Sequence, residues 1–198
     1  AQHLTHLGIP LSAKHIISSG RGLHWHKPYR QLIYKRPVLV VGSLGSHCYI
    51  TDAGGYCVDT LEDAQAIVLA MSTPNDTACY EAIATHHQTH PDIPIICINP
   101  DHYVQTGNQK STVIGHYAAK LATKLTRPMH WMGKPYPVFS SVVQDYIASE
   151  FNLTPDNSWL FVDDNPDNVA QLTQDLGIHW LIPKHTGLAQ SWPTSLTP

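Results

Sequence analysis

Residues 159–172 read WLFVDDNPDNVAQL: four apolar residues run into two adjacent carboxylates, Asp163 and Asp164, and an Asn-Pro step leads into a segment of helical spacing. Carboxylates repel one another and hold their water tightly, so an acid pair closing a buried-looking strand calls for a counter-charge. A hard divalent cation supplies one, since Mg²⁺ takes one or two carboxylates together with waters and phosphate oxygens. The competing reading is an N-cap aspartate beside a solvated loop aspartate. One helical segment upstream stands Gly133-Lys134-Pro135. A lysine in a loop is in most cases a solvated charge, but a βαβ arrangement can bring this one to the same sheet edge as the acid pair. An ammonium there could neutralise a phosphoryl group in transfer and keep a carboxylate nucleophile ionised, with Gly133 and Pro135 fixing the backbone that aims it.

Those groups need elements to position them. RPVLVVGS reads as a short apolar strand, HCYITDAGGYCV as strand, turn and strand, and LEDAQAIVLAM as a polar lead into a buried run. NDTACYEAIATHHQTH has helical spacing after an Asn/Asp/Thr start suited to capping. IPIICINPD is again strand then turn. VIGHYAAKLATKL and YPVFSSVVQDYIASEFNL read as helices, and GIHWLIP as a closing strand after the helix that ends near Leu176. This alternation implies an α/β architecture of parallel strands with crossover helices, whose ligands sit beyond the carboxyl ends of the strands.

The totals narrow the partners. Charged residues are few, 14 His stand in for some of the usual Lys and Glu, and the formal net charge is -3, so no basic excess attracts nucleic acid or anionic lipid. No apolar segment is long enough for a membrane span, and the start AQHLTHLGIP has no signal-peptide character. Cys48, Cys57, Cys79 and Cys97 form no CxxC pair and have no zinc-like spacing, so a reducing cytoplasm is the simpler setting.

Taken in order, LGIPLSAKHIISSGR, AIVLAM, IPIICINPDHYV, VIGHYAAKLATKL, GKPYPVF and WLFVDDNPDNV resemble the haloacid dehalogenase superfamily, and within it the NagD-like branch of phosphatases, over nearly the whole chain. The resemblance implies a partial Rossmann-like parallel-sheet core plus an inserted α/β cap domain. Residues 1–22 would be a remnant core segment and linker, 23–126 the cap, and 127–198 the C-terminal half of the core. It implies aspartyl-phosphate chemistry on a small phosphorylated metabolite with Mg²⁺ as cofactor. Lys134 corresponds to the lysine of the third motif, as catalytic and substrate-binding residue, and Asn99 and Asp101 to a cap loop that reaches toward substrate. Asp164 would hold the metal, Asp163 would support it directly or from the outer shell, and Asn168 is a further candidate. Cap surfaces in this branch can carry homodimer contacts.

The sequence departs from that pattern in two places. No two aspartates are separated by one residue, so the Asp-x-Asp first motif is absent, and so is the second motif. The expectation is a chain lacking the amino-terminal part that carries nucleophile and proton shuttle, and therefore one without phosphatase turnover by itself. The alternative is a non-catalytic ligand-binding or assembly protein of the same fold. The fourth motif also differs: with Asp164 aligned to the metal ligand, Asp163 takes the usual Gly position and Val169 that of the later acid, whereas a related version places Asn168 there. A receiver domain shares the acid pair and the Lys-Pro step, but its acids come early and its Lys-Pro late, the reverse of the order here.

Other signals point to structure. Asn99 and Asp101 also suit an Asx-Pro turn. Ser18 and Ser19 could offer hydroxyls to a phosphate, but fit better as a hinge beside Gly20 and Gly22. VVGSLGS lacks the full phosphate-loop pattern and reads as a strand-to-turn junction. His86 with His90, and His24 with His26, have no acid or Cys partner at matching distance, so an exposed polar face explains them better than a metal. The Gly of LGI at 7–9 and at 176–178 reads as a helix end followed by a strand.

Overall fold

The computed structural model describes residues 2–71, 77–106 and 109–183. In chain order the elements are α1 (Gln2–His6), α2 (Gly22–Trp25), α3 (Lys27–Ile33), β1 (Pro37–Val41), α4 (His47–Asp52), β2 (Tyr56–Val58), β3 (Ala66–Leu69), α5 (Thr77–Thr89), β4 (Ile95–Cys97), β5 (Tyr103–Thr106), β6 (Gln109–Thr112), α6 (Ile114–Ala122), β7 (His130–Trp131), α7 (Pro137–Phe151), β8 (Leu160–Val162), α8 (Pro166–Leu176) and β9 (His179–Leu181). Five strands form a parallel sheet in the order β2-β1-β3-β4-β7, while β5 and β6 make an antiparallel hairpin and β8 and β9 a parallel pair.

The near-continuous apolar run of β3 is what a strand covered on both faces requires. Its period-2 alternation sends Ala66 and Val68 to one layer and Ile67 and Leu69 to the other. The first layer packs Leu23, Ile33 and Ile50 of α2, α3 and α4 with Phe139 and Val142 of α7 and Leu172 and Leu176 of α8. The second packs Tyr80 and Ile83 of α5 with Ile114, Ala118 and Leu121 of α6. The first layer therefore crosses the expected boundary at 126, and β7, which lies beyond that boundary, hydrogen-bonds to β4 as the fifth strand of the sheet. Trp25 of α2 also meets Tyr146 of α7 edge to face at 5.2 Å.

One expected element is corrected. The first half of HCYITDAGGYCV is the helix α4, not a strand. β1 and β2 pair in parallel, Pro37 opposite Tyr56, so the intervening chain must return to the starting edge, and a crossover helix does this whatever the strand propensity of Tyr49, Ile50 and Thr51. Gly8 and Gly177 both have positive φ after a helix, but a strand follows only Gly177. The capping residues expected ahead of α5 and the tail beyond 183 lie outside the described residues. Among the described residues no helix is long and apolar enough to cross a membrane.

Candidate active site

Three strands end in loops that carry the side chains of interest: Asn99-Pro100-Asp101 after β4, Gly133-Lys134-Pro135 after β7, and Asp163-Asp164 after β8. The loop after β7 is tight. Gly133 has φ +122°, a conformation L side chains rarely adopt, and a Cβ on it would lie 2.6 Å from Cδ of Pro100 and 3.1 Å from Cβ of Ser19. The Tyr136 N–H donates to the Gly133 carbonyl at 2.9 Å, and the Trp131 and Tyr136 rings stack across the loop with centroids 5.2 Å apart. Lys134 thus projects from a turn closed on both flanks.

The loop after β4 is seated on the first turn of α6. The Gly115 N–H donates to the Asp101 carbonyl at 3.0 Å and the Val113 N–H to that of His102 at 3.1 Å. This contact is so close that a Cβ on Gly115 would stand 2.1 Å from the Pro100 oxygen. Pro100 therefore touches both α6 and the Gly133 turn, which fixes Asp101 relative to Lys134. Asn99 is half-buried, and its carbonyl accepts the Cys97 thiol at 3.4 Å.

Lys134 reaches the acid pair. Its Nζ lies 2.5 Å from Oδ2 of Asp163, and the two side chains are 32% and 8% exposed. Asp163 Oδ1 accepts the Asn165 N–H at 2.9 Å and Nδ2 of Asn168 at 3.2 Å. Three donors thus hold one carboxylate, close to the number its lone pairs can take. The N-cap role weighed for an aspartate falls to Asn165, whose Oδ1 accepts the Asp167 N–H at 3.1 Å, with Pro166 in the first helical position. Of the two alignments of the fourth motif, the structure brings Asn168 to the acid pair, while Val169 is fully buried among Ile182, Phe161 and Trp180.

Asp164 is half-buried, and its charge acts on Asp101. Asp101 keeps accessible surface, yet the protein around it removes enough water to raise its carboxyl above the ordinary range. Lys134 and His102 oppose that rise, and Asp163 and Asp164 add to it. The fields of Asp163, Asp164, Lys134 and His102 thus converge on Asp101.

The donor set suits a hard cation in kind: carboxylate oxygens of Asp164 and Asp163 and an amide oxygen of Asn168. Asn168 is 4% exposed, and because its Nδ2 serves Asp163 its Oδ1 must face elsewhere, where it is buried with no hydrogen-bond partner. A buried acceptor in that state is stabilised by a cation or a donor. Among the described residues no three His, Cys, Asp or Glu side chains gather as a metal site.

Sequence reasoning missed the β5–β6 hairpin, although its strands flank Gly107-Asn108, a recognised hairpin signal. The hairpin contributes Tyr103 and Lys110 to a cleft of about 390 Å³ that Asp101, His102, Tyr136 and Asp167 also line. Lys110 Nζ rests 4.0 Å from the centre of the Tyr103 ring. The discounted signals have structural uses. His86 and His90 stack at 4.2 Å, His24 Nδ1 bonds the Asp52 carbonyl at 2.7 Å, and the carbonyls of Ser18 and Ser19 both accept the Gly22 N–H.

No protein-family model and no curated protein sequence matches the chain. Solved structures do. Glycerol phosphate phosphatase from Mycobacterium tuberculosis in complex with calcium superposes with a TM-score of 0.73 at 20% identity, over 92% of this chain and 52% of that one. A mutant of the thermostable p-nitrophenylphosphatase from Bacillus stearothermophilus gives 0.69 at 16%, over 92% and 67%. The p-nitrophenyl phosphatase from Archaeoglobus fulgidus gives 0.71 at 16%, over 91% and 66%. The mycobacterial enzyme is also solved with magnesium. The 198 residues span about half the length of the mycobacterial enzyme and two-thirds of the other two. They have the α/β fold of these phosphatases, the fold that the resemblance to the haloacid dehalogenase superfamily implied.

Proposed function

We propose that the loops after β4, β7 and β8 form the cation and acid half of a phosphoryl-transfer site for hydrolysis of a small phosphate monoester. The observation that carries this reading is the ion pair of Lys134 with the nearly buried Asp163, at the carboxyl ends of the strands and within the field of Asp101 and Asp164. In this reading Asp163 aims the Lys134 ammonium, which neutralises phosphoryl oxygens in the transition state. Asp164 and the Asn168 amide oxygen would hold Mg²⁺, which when bound shares that neutralising work. Asn99 and Asp101 border the leaving group.

The reaction requires a carboxylate nucleophile, which no Asp-x-Asp pair among these 198 residues provides. Leu160, Val162 and Leu181 on the β8–β9 pair are exposed, an apolar surface that a neighbouring strand would cover, since parallel strands are normally buried on both faces. The proposed setting is the reducing cytoplasm suggested by the number and spacing of the cysteines.

The test is calorimetric titration with inorganic phosphate, with and without Mg²⁺, alongside a p-nitrophenyl phosphate assay. We expect phosphate binding that Mg²⁺ strengthens, that Lys134→Ala abolishes and that Asp164→Asn makes Mg²⁺-independent, with no turnover by the 198 residues alone. Turnover that survives both Lys134→Ala and Asp164→Ala would refute the assignment. Phosphate binding with no Mg²⁺ response would favour the second reading, a non-catalytic ligand-binding or assembly protein of the same fold.

A further inference from the structure

We propose a second ligand site at the amino-terminal edge of the central sheet, where Arg36 and Arg127 bind the carboxylate of a small organic anion whose apolar body lies against Leu32, Ile93 and Pro94. The cleft measures about 350 Å³ and is bounded by the α3–β1, α5–β4 and α6–β7 connections. Because all five strands are parallel, this edge faces away from the loops that hold Lys134 and Asp101. Its walls are mainly apolar, and three prolines, at 91, 94 and 128, stiffen them.

Its charge is one-sided. Arg36 is exposed and has no acidic partner among the described residues, while Arg127 pairs with Asp92 at 2.6 Å. Burial holds His87 and His130 below the ordinary imidazole range, with the Arg127 charge and His86 also lowering His87, so both enter as neutral hydrogen-bonding groups at neutral pH. The fixed charge of the cleft is then two guanidiniums against one carboxylate. That carboxylate shows which ligand chemistry fits, since Asp92 already docks a carboxylate on Arg127 from the rim. The Asp92 and Arg127 side chains are 81% and 63% exposed, so the pair is solvent-screened and easily exchanged. A guanidinium offers five donors in a plane, and one engaged NH₂ leaves others to a second acceptor. A ligand entering deeper would share both arginines and bury its hydrocarbon part, which the Asp92 side chain does not do. The competing explanation is that Arg36 and Arg127 merely complement the carbonyl ends of α3 and α6.

The experiment uses the full 198-residue chain, titrated with sodium butyrate at constant ionic strength and followed by backbone amide NMR, with n-butylammonium as the opposite-charge control. We expect saturable shifts centred on Leu32, Ile93 and His130. Arg36→Gln and Arg127→Gln should each weaken binding about fivefold or more, the loss of one charge-assisted hydrogen-bonded contact. Asp92→Asn should tighten it about twofold or more by removing the internal competitor. Lys134→Ala should leave it unchanged, which keeps this site separate from the phosphate site. Spectra of wild-type dispersion establish that each variant is folded. Absence of saturable shifts, equal shifts with n-butylammonium, or weaker binding in Asp92→Asn would overturn the proposal. Arginine variants that lower only thermal stability would give those residues to the helix ends and overturn it equally.

Discussion

Gly115→Ala is the sharpest test of how the site is held, because two principles give it opposite signs. In an exposed helix, exchanging Gly for Ala stabilises by about 1 kcal/mol. Here the added methyl would stand 2.1 Å from the Pro100 oxygen, 2.3 Å from its carbonyl carbon and 2.5 Å from the Asp101 oxygen, all of them backbone atoms. A methyl carbon and an oxygen settle at about 3.3 Å, so the loop must withdraw from α6 by roughly 1.2 Å. That displacement breaks the Gly115 N–H bond to Asp101, now 3.0 Å, at a cost of about 1 kcal/mol. The overpacking itself costs about 1–3 kcal/mol. After the helix-propensity gain is subtracted, the net effect is a destabilisation of about 1–3 kcal/mol. Urea unfolding followed by tryptophan fluorescence should show the midpoint falling by about 1 M with an unchanged slope. Phosphate affinity should fall as well, because Pro100 also braces the Gly133 turn that carries Lys134. A Gly115→Ala variant as stable as the parent would refute the argument that this contact fixes Asp101.

Three further outcomes follow from the same geometry. In a double-mutant cycle of Lys134→Met and Asp163→Asn, the coupling free energy measured by urea unfolding should be about 1–3 kcal/mol, below the full range for a buried pair because Lys134 is partly exposed and Asn165 and Asn168 still serve the carboxylate; coupling near zero would mean that the pair is not formed. Gly133→Ala should lose phosphate binding and stability together, since it meets both a positive φ and the Pro100 ring, and calorimetry with a thermal melt checks both. Asp101 has a folded-state pKa above its unfolded value, so its ionisation disfavours the folded state. Stability from this group is highest below the unfolded value and declines as pH rises through the folded one. Asp101→Asn should therefore be more stable than the parent at neutral pH, with the advantage vanishing under acid conditions, as melting temperatures across a pH series would show.

Much of the scaffold was legible because period and punctuation agreed. The run of β3, the Gly177 stop of α8 and the Asn165-Pro166 start of the same helix each state their structure in residue types. α4 was illegible for the opposite reason. Its strand-like residues are overruled by the parallel pairing of β1 with β2, a constraint that no local window contains. The two-residue β7 completes the sheet, and Phe139 and Leu172 share a layer with Leu23 more than a hundred positions away. Such long-range packing has no local signature.

The ranking of Asp164 above Asp163 came from the family resemblance alone, since adjacent aspartates are identical letters. Three-dimensional geometry separates them. The five-residue step from Asp163 to Asn168 places the amide on the first turn of α8, where its Nδ2 can reach back to the carboxylate, and Lys134 also donates to it. With those donors in place Asp163 has fewer lone pairs left for a metal, and the role we propose for it is to aim the ammonium. Burial chiefly raises the pKa of Asp101 and the charge of Asp164 adds to it, a repulsion that a divalent cation would relieve. If that division of labour holds, Asp164→Asn and Asp163→Asn separate in one measurement. The first should lose the Mg²⁺ response and keep phosphate binding by Lys134. The second should lose phosphate binding itself, with Mg²⁺ present or absent, and equal behaviour of the two variants would contradict the assignment.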